Sequence, residues 1–182
     1  MNSADKTIQI RPCSTGDIAV VAEIYERAVR SGVATFDIAP PDVKAMTKRH
    51  AAIEEAGYPY LVATIGGVVA GYAYVNAYRP RPAYAYTVEN SVYVAENCQR
   101  RGVGLALMHR LIADSAARGY RQMIAVIGDS GNLASKRLHE ALGFRIVGIE
   151  FSVGWKHGRW LDAVTMQLPI GAGDSVPPIF KP

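Results

Sequence analysis

The stretch 97-NCQRRGVGLALMHRL-111 sets two arginines and two glycines directly ahead of a run with helical spacing: Val103, Leu107, Met108, Leu111 and Ile112. Glycine costs a helix about 1 kcal/mol relative to alanine, so Gly102 and Gly104 at a helix mouth call for a local reason. A helix N-terminus presents unpaired amides and the positive end of the dipole, both of which attract phosphate. Glycine lets backbone approach such a ligand, and Arg100 and Arg101 add charge. A solvated loop with two surface arginines fits the same residues, because a short Gly-x-Gly pattern is weak alone. The stretch is neither a Walker loop nor a dinucleotide GxGxxG.

Outward from this helix, 84-YAYTVENSVYVAE-96 reads as a strand before it, rich in aromatic and β-branched residues. After it, 122-QMIAVIG-128 is a short apolar run suited to a strand buried on both faces. A helix over residues 132–142 stops at Gly143, a C-cap residue type. FRIVGIEFSVG and WLDAVTMQL then finish as strands. Toward the N-terminus, residues 58–78 carry a hairpin signal around Gly66 and Gly67, and residues 42–56 read as a helix. Ile18, Val21, Ile24, Tyr25 and Val29 form another helical stripe, with Ser14, Thr15 and Asp17 as candidate caps. A short strand over residues 8–11 precedes it, broken at Pro12. The order predicts an α/β fold of α+β type: one domain over residues 8–170, with a mixed, largely antiparallel sheet flanked by helices. Residues 1–7 read as an extension and 171–182 as a tail.

The 182 residues are 49% hydrophobic and 20% charged, with a net charge of +4, ordinary for a globular domain. The basic residues are scattered, which favours an anionic ligand over bulk nucleic acid. Cys13 and Cys98 lie far apart outside any CxxC pattern, so neither a disulfide framework nor a zinc site is expected. The start, MNSADKTIQI, lacks the features of a signal peptide. No apolar stretch approaches the ~18 residues of a membrane span. A cytoplasmic protein without membrane or metal is expected.

Gln99-Arg100-Arg101-Gly102-Val103-Gly104 resembles the Q/R-x-x-G-x-G/A pyrophosphate loop of the GNAT superfamily of N-acetyltransferases. Element order agrees over residues 8–168. The resemblance implies acetyl-CoA as co-substrate, its pyrophosphate held at Gln99 to Gly104 and Leu105, its pantetheine arm paired with the backbone of Val92, Tyr93 and Val94. Three further stretches, YTVENSVYV, NLASKRLHEALGF and GWKHGRWLD, resemble the phosphinothricin and methionine sulfoximine/sulfone acetyltransferase branch. That branch acetylates the amine of small amino-acid-like compounds.

Within the first stretch, strand alternation from Tyr84 sets Tyr86, Val88 and Asn90 on one face and Thr87, Glu89 and Ser91 on the other. A carboxylate on an inner strand is costly unless paired or near water. Glu89 is therefore either a salt-bridge partner of Arg79, Arg81 or Arg100, or a general base accepting an ammonium proton; the resemblance implies the base, with Asn90 and Ser91 beside the substrate. His139 shares a helix face with Ser135 and Leu142. It is either structural or, at the position where many family members carry tyrosine, a proton carrier near the departing sulfur. Asn132 is an N-cap by type, and with Ser135 it is a CoA contact by resemblance. Arg79 and Arg81, stiffened by Pro80 and Pro82 and followed by Tyr84, suit a substrate carboxylate or the plain surface. Phe36 is a pocket or core residue, His157-Gly158 a turn, and Trp155 and Trp160 core or interface residues. Family members are often homodimers, so a homodimer is expected by resemblance. The competing readings are transfer to a peptide N-terminus or polyamine, and a CoA-binding regulator without catalysis.

Overall fold

Asp17 starts the molecule's first long helix and ties it to the first strand. Its carboxylate accepts from the Ser14 amide at 2.8 Å and the Ser14 hydroxyl at 2.7 Å, and both Arg11 guanidinium nitrogens reach it at 2.7 Å. Ser14 and Asp17 thus form a capping box. The structure is a computed structural model describing residues 7–178. Its elements are β1 (Ile8–Pro12), α1 (Ile18–Ser31), α2 (Val43–Glu55), β2 (Tyr60–Ile65), β3 (Val68–Ala77) and β4 (Thr87–Val94). There follow α3 (Val103–Ala117), β5 (Gln122–Gly128), α4 (Leu133–Ala141), β6 (Arg145–Lys156) and β7 (Arg159–Pro169). This is the expected single α/β domain with a mixed sheet.

The seven strands run in the order β1-β2-β3-β4-β5-β7-β6. All pairings are antiparallel except β4 with β5, which is parallel and short. Thr87, Val88, Glu89 and Asn90 lie against Gln122, Met123, Ile124 and Ala125, and there the ladder ends. Both strands continue beyond it, β4 held by β3 and β5 by β7. The sheet therefore parts down its middle.

Two apolar clusters cover its faces. One joins Val88, Leu107, Met108, Leu111, Met123 and Met166 beneath α3. The other joins the inner side of α1, Ile18, Val21, Tyr25 and Val29, to Met46 of α2 and to Tyr60, Tyr72 and Tyr74. The rings of Tyr60, Tyr72 and Tyr74 stack nearly parallel, and Tyr93 stacks on Tyr72 at 5.2 Å.

Three expectations change. Strand β4 begins at Thr87, because Pro82–Tyr84 forms a 3-10 turn that holds Tyr84 outside the strand. Strand β5 is not buried on both faces throughout: Val126 is 41% exposed, since β4 has already moved away from it. Trp155 and Trp160 are not core residues; they stand exposed, with their rings 5.3 Å apart. Residues 1–6 of the expected extension and 179–182 of the tail lie outside the described residues. Residue Ile170 is buried, and Arg121 donates to the carbonyl of Gly173, so the tail begins fastened to the domain.

The Arg11 guanidinium, helped by Ser14 and opposed by burial, holds the Asp17 carboxyl well below the usual carboxylate range. A depressed carboxyl stabilises the fold above its unfolded value, and the contribution disappears as pH falls through the folded value. Asp17→Asn is expected to lose about 1–2 kcal/mol at pH 7. In urea unfolding the gap to wild type should narrow below about pH 4.

Candidate active site

The parted sheet makes the site. Along β4 the backbone groups alternate in direction. The Ala95 amide donates to Ala70 of β3, while the Tyr86 carbonyl accepts from residues leading into β5. Tyr93 and Ser91 therefore point to β3, and Val92 and Val94 point into the gap, where β5 no longer pairs with them. Buried backbone groups require partners, so this edge is suited to an amide-bearing chain laid along it.

At the far end of β4 the chain turns through two left-handed residues, Arg100 (φ 56°) and Gly102 (φ 85°), before α3 begins. Left-handed backbone is natural for glycine and uncommon for arginine. Among the described residues no side chain caps this helix, so its first-turn amides face outward as donors. Gln99, Arg100 and Arg101 are exposed around them, and Val103 is buried behind. Gly104 is also required by packing. A Cβ there would sit 3.3 Å from Leu138 and 3.5 Å from Val94, so its missing side chain seats α3 against α4 and β4.

A cavity of about 260 Å³ opens where the ladder ends. It brings together Phe36, Glu89, Asn90, Ser91, Val92, Tyr93, Asn132, Ser135 and His139 from the expected set. Tyr25, Thr35, Tyr74, Asn76 and Val126 also line it and were not anticipated. Asn76 carried one usable signal, a polar residue in an otherwise apolar strand, and in the register it lies opposite Glu89. Because the gap passes through the sheet, groups from both faces share one space. Glu89 and the tyrosines reach it from the α1 side, His139 and Ser135 from α4.

Among the described residues Glu89 has no ion-pair partner. The alternative of a salt bridge to Arg79, Arg81 or Arg100 is not realised. Half-buried and without a cation, its carboxyl is pushed above the ordinary value by burial alone. That combination suits a proton acceptor.

His139 is 2% exposed and held at both nitrogens. Nδ1 donates to the Ser135 carbonyl at 2.8 Å. Nε2 lies 3.1 Å from Oδ1 of Asn90, whose Nδ2 donates to the Ile124 carbonyl at 2.9 Å. Both ring nitrogens thus face acceptors, and the hydrogen bonds are complete only when both carry protons. Burial opposes this by lowering the ring's pKa. Burial and hydrogen bonding thus pull the ring in opposite directions, and burial has the larger effect. Asn132 is the N-cap expected of its type, its Oδ1 accepting from the Ser135 amide at 3.2 Å, and it also lines the cavity.

The structure does not bring Arg79, Arg81 and Tyr84 into this cavity. All three are exposed on the segment before β4, and the Arg79 guanidinium lies 5.0 Å from the Tyr78 ring centroid and 6.0 Å from that of Tyr84. The cation–π contacts and the proline-bounded turn keep the arginines on the outer surface of the chain. Among the described residues no group of three or more His, Cys, Asp or Glu could hold a metal ion, and no helix is long and apolar enough to cross a membrane.

Comparison with known proteins agrees with this geometry. The phosphinothricin N-acetyltransferase of Alcaligenes faecalis is 47% identical over 93% of this chain and 86% of its own length. An L-methionine sulfoximine/L-methionine sulfone acetyltransferase of Pseudomonas paraeruginosa is 39% identical, covering 92% of this chain and 98% of its own. In three dimensions the chain superposes with a TM-score of 0.92 on a GNAT superfamily phosphinothricin acetyltransferase from Sinorhizobium meliloti, solved in complex with acetyl-CoA. The two share 42% identity over 95% of this chain and 94% of that one. Residues 21–144, spanning the first helix to the end of α4, match the family of GNAT acetyltransferases, and the chain belongs to that family.

Proposed function

We propose that this protein moves an acetyl group from acetyl-CoA to the primary amine of a small amino-acid-like compound of the phosphinothricin or methionine sulfoximine type. One observation carries the reading: an unpaired, half-buried carboxylate, Glu89, stands where the sheet parts, in a cavity continuous with an unpaired strand edge.

The residues present fit acetyl-CoA. The uncapped first turn of α3, with Arg100 and Arg101, matches a diphosphate in charge and donor geometry. The free backbone groups of Val92 and Val94 match the amides of a pantetheine arm, and Asn132 and Ser135 face it from α4. Acetyl-CoA supplies an acetyl group already activated as a thioester. The chain's own work is to place the amine, exclude water and move protons. Glu89 removes the ammonium proton and so frees the attacking lone pair. An amide at Val92 or Val94 polarises the carbonyl under attack. His139 holds or releases the second proton at Nε2, with Asn90 fixing its orientation. The cavity is small, and Glu89 is its only carboxylate, which suits a compact acceptor more than a polyamine or a peptide.

The proposed assembly is a homodimer through β6. This strand is an edge of the sheet. It exposes Ile146, Val147, Ile149, Phe151 and Val153, next to Trp155 and Trp160. A long apolar edge strand invites pairing unless covered, and a second copy meets it through the same residues about a two-fold axis.

Thiol release from acetyl-CoA should occur with phosphinothricin, methionine sulfoximine or methionine sulfone. Activity only on peptides or polyamines would replace the acceptor, and tight CoA binding with no turnover would indicate a regulator. Because burial raises the Glu89 carboxyl, kcat/KM should fall with decreasing pH through a value above the usual ~4.3 of glutamate. Glu89→Gln should remove that limb and cut kcat by roughly 10²–10⁴. Gly102→Val, strained at φ 85°, should weaken acetyl-CoA binding at least tenfold by calorimetry; an unchanged Kd would refute the cradle. Sedimentation should give twice the chain mass, and Ile149→Glu with Phe151→Glu should reduce it to one chain.

A further inference from the structure

The motif GWKHGRWLD forms the tip of the β6–β7 hairpin, and the chemistry above leaves it without a task. Its side chains reach in two directions. Toward the α1–α2 loop, Gly154 lies under the Phe36 ring, which a Cβ at that position would overlap. Lys156, 3% exposed, donates from Nζ to the Thr35 carbonyl at 2.8 Å. His157 donates from Nε2 to the Gly32 carbonyl at 3.1 Å. Thr35 and Phe36 are cavity walls.

Toward the β5–α4 loop, Arg159 pairs with the Asp129 carboxylate. Asp162 accepts from the Ser130 hydroxyl, and at 3.0 Å from the Ser152 amide. Asp129 is left-handed at φ 69°, an uncommon conformation for a side-chain-bearing residue. Its own carboxylate accepts from the Gly131 amide at 3.1 Å. Asn132 follows directly, the residue that caps α4 and faces the cavity.

A buried ammonium is expensive unless it is hydrogen-bonded or paired, and the Thr35 carbonyl supplies Lys156 with such a partner. Burial lowers the Lys156 pKa, with Asp37 the opposing charge. We propose that the β6–β7 hairpin is a brace fixing the two walls of the cavity against each other. In it Lys156 positions the acceptor wall at Thr35 and Phe36, and Arg159 positions the cofactor wall at Asn132 and Ser135. Acceptor selectivity then depends on side chains that never touch the acceptor. The roles of the two walls rest on the acetyl-transfer reading; the brace itself does not.

The test uses Lys156→Met, Arg159→Met and Gly154→Ala in the full chain. Lys156→Met is expected to raise the acceptor KM tenfold or more while the acetyl-CoA KM stays within twofold, and Arg159→Met to do the reverse. Gly154→Ala, which leaves both polar contacts in place, should reorder the preference among acceptors by displacing Phe36. Hydrogen exchange should quicken at residues 32–38 in Lys156→Met and at residues 129–135 in Arg159→Met, each without the other. Equal changes in both KM values with uniformly faster exchange would overturn the proposal, as would unaltered exchange at residues 32–38 in Lys156→Met or an unchanged acceptor order in Gly154→Ala. Should the wild type acetylate no acceptor, the acetyl-transfer reading fails, and the exchange pattern alone then decides the brace.

Discussion

Four residue pairs of parallel ladder hold the two halves of this sheet together, and everything at the site depends on their ending where they do. With a longer ladder, Val92 and Val94 would bond to β5 and no edge would remain for a ligand. With a shorter one, Asn90 would lose its bond to Ile124, and with it the support of His139. Parting the strands leaves backbone donors and acceptors without partners, a cost that folds avoid elsewhere. Helix α3 compensates by packing Val103, Leu107 and Leu111 into the larger core just behind the opening. The core carries the stability, and the gap carries the chemistry.

The electrostatics follow from that geometry. The pocket-facing carboxylate has no cation to lower its pKa, so burial alone sets its direction. On the opposite wall, hydrogen-bond acceptors at both ring nitrogens favour a charged histidine while desolvation disfavours it. Two titratable groups, raised and lowered from their ordinary values, thus meet in one small space shared with tyrosine, amide, hydroxyl and apolar side chains. Burial thus draws the two pKa values toward each other, each group being favoured in its neutral form.

Much of this was legible in the chain. Helix α1 follows from local caps and apolar spacing, α3 from apolar spacing, and the β2–β3 hairpin from its paired glycines, because these signals act over a few residues. Glu89 was legible as a misfit, a charge in an apolar strand. The course of residues 79–86 was not. Alternation was counted from Tyr84, whereas Pro82 starts a turn and the strand opens three residues after Tyr84. Nor was the exposure of Val126 legible, because it depends on where a neighbouring strand goes rather than on β5 itself. Thr35, Asn76 and Tyr25 join the site through loop placement and sheet register, which are long-range matters. The packing of Gly104 against Leu138 is likewise a long-range matter that residue type does not reveal.

The chain has two tryptophans, and both sit at the tip of the β6–β7 hairpin with rings 5.3 Å apart, 56% and 59% exposed. Indole emission from this protein therefore originates at a single spot beside the loop that carries Phe36, rather than averaging over the molecule. The fold has an optical probe of its own, already sited where the pocket wall is anchored, and it needs no label.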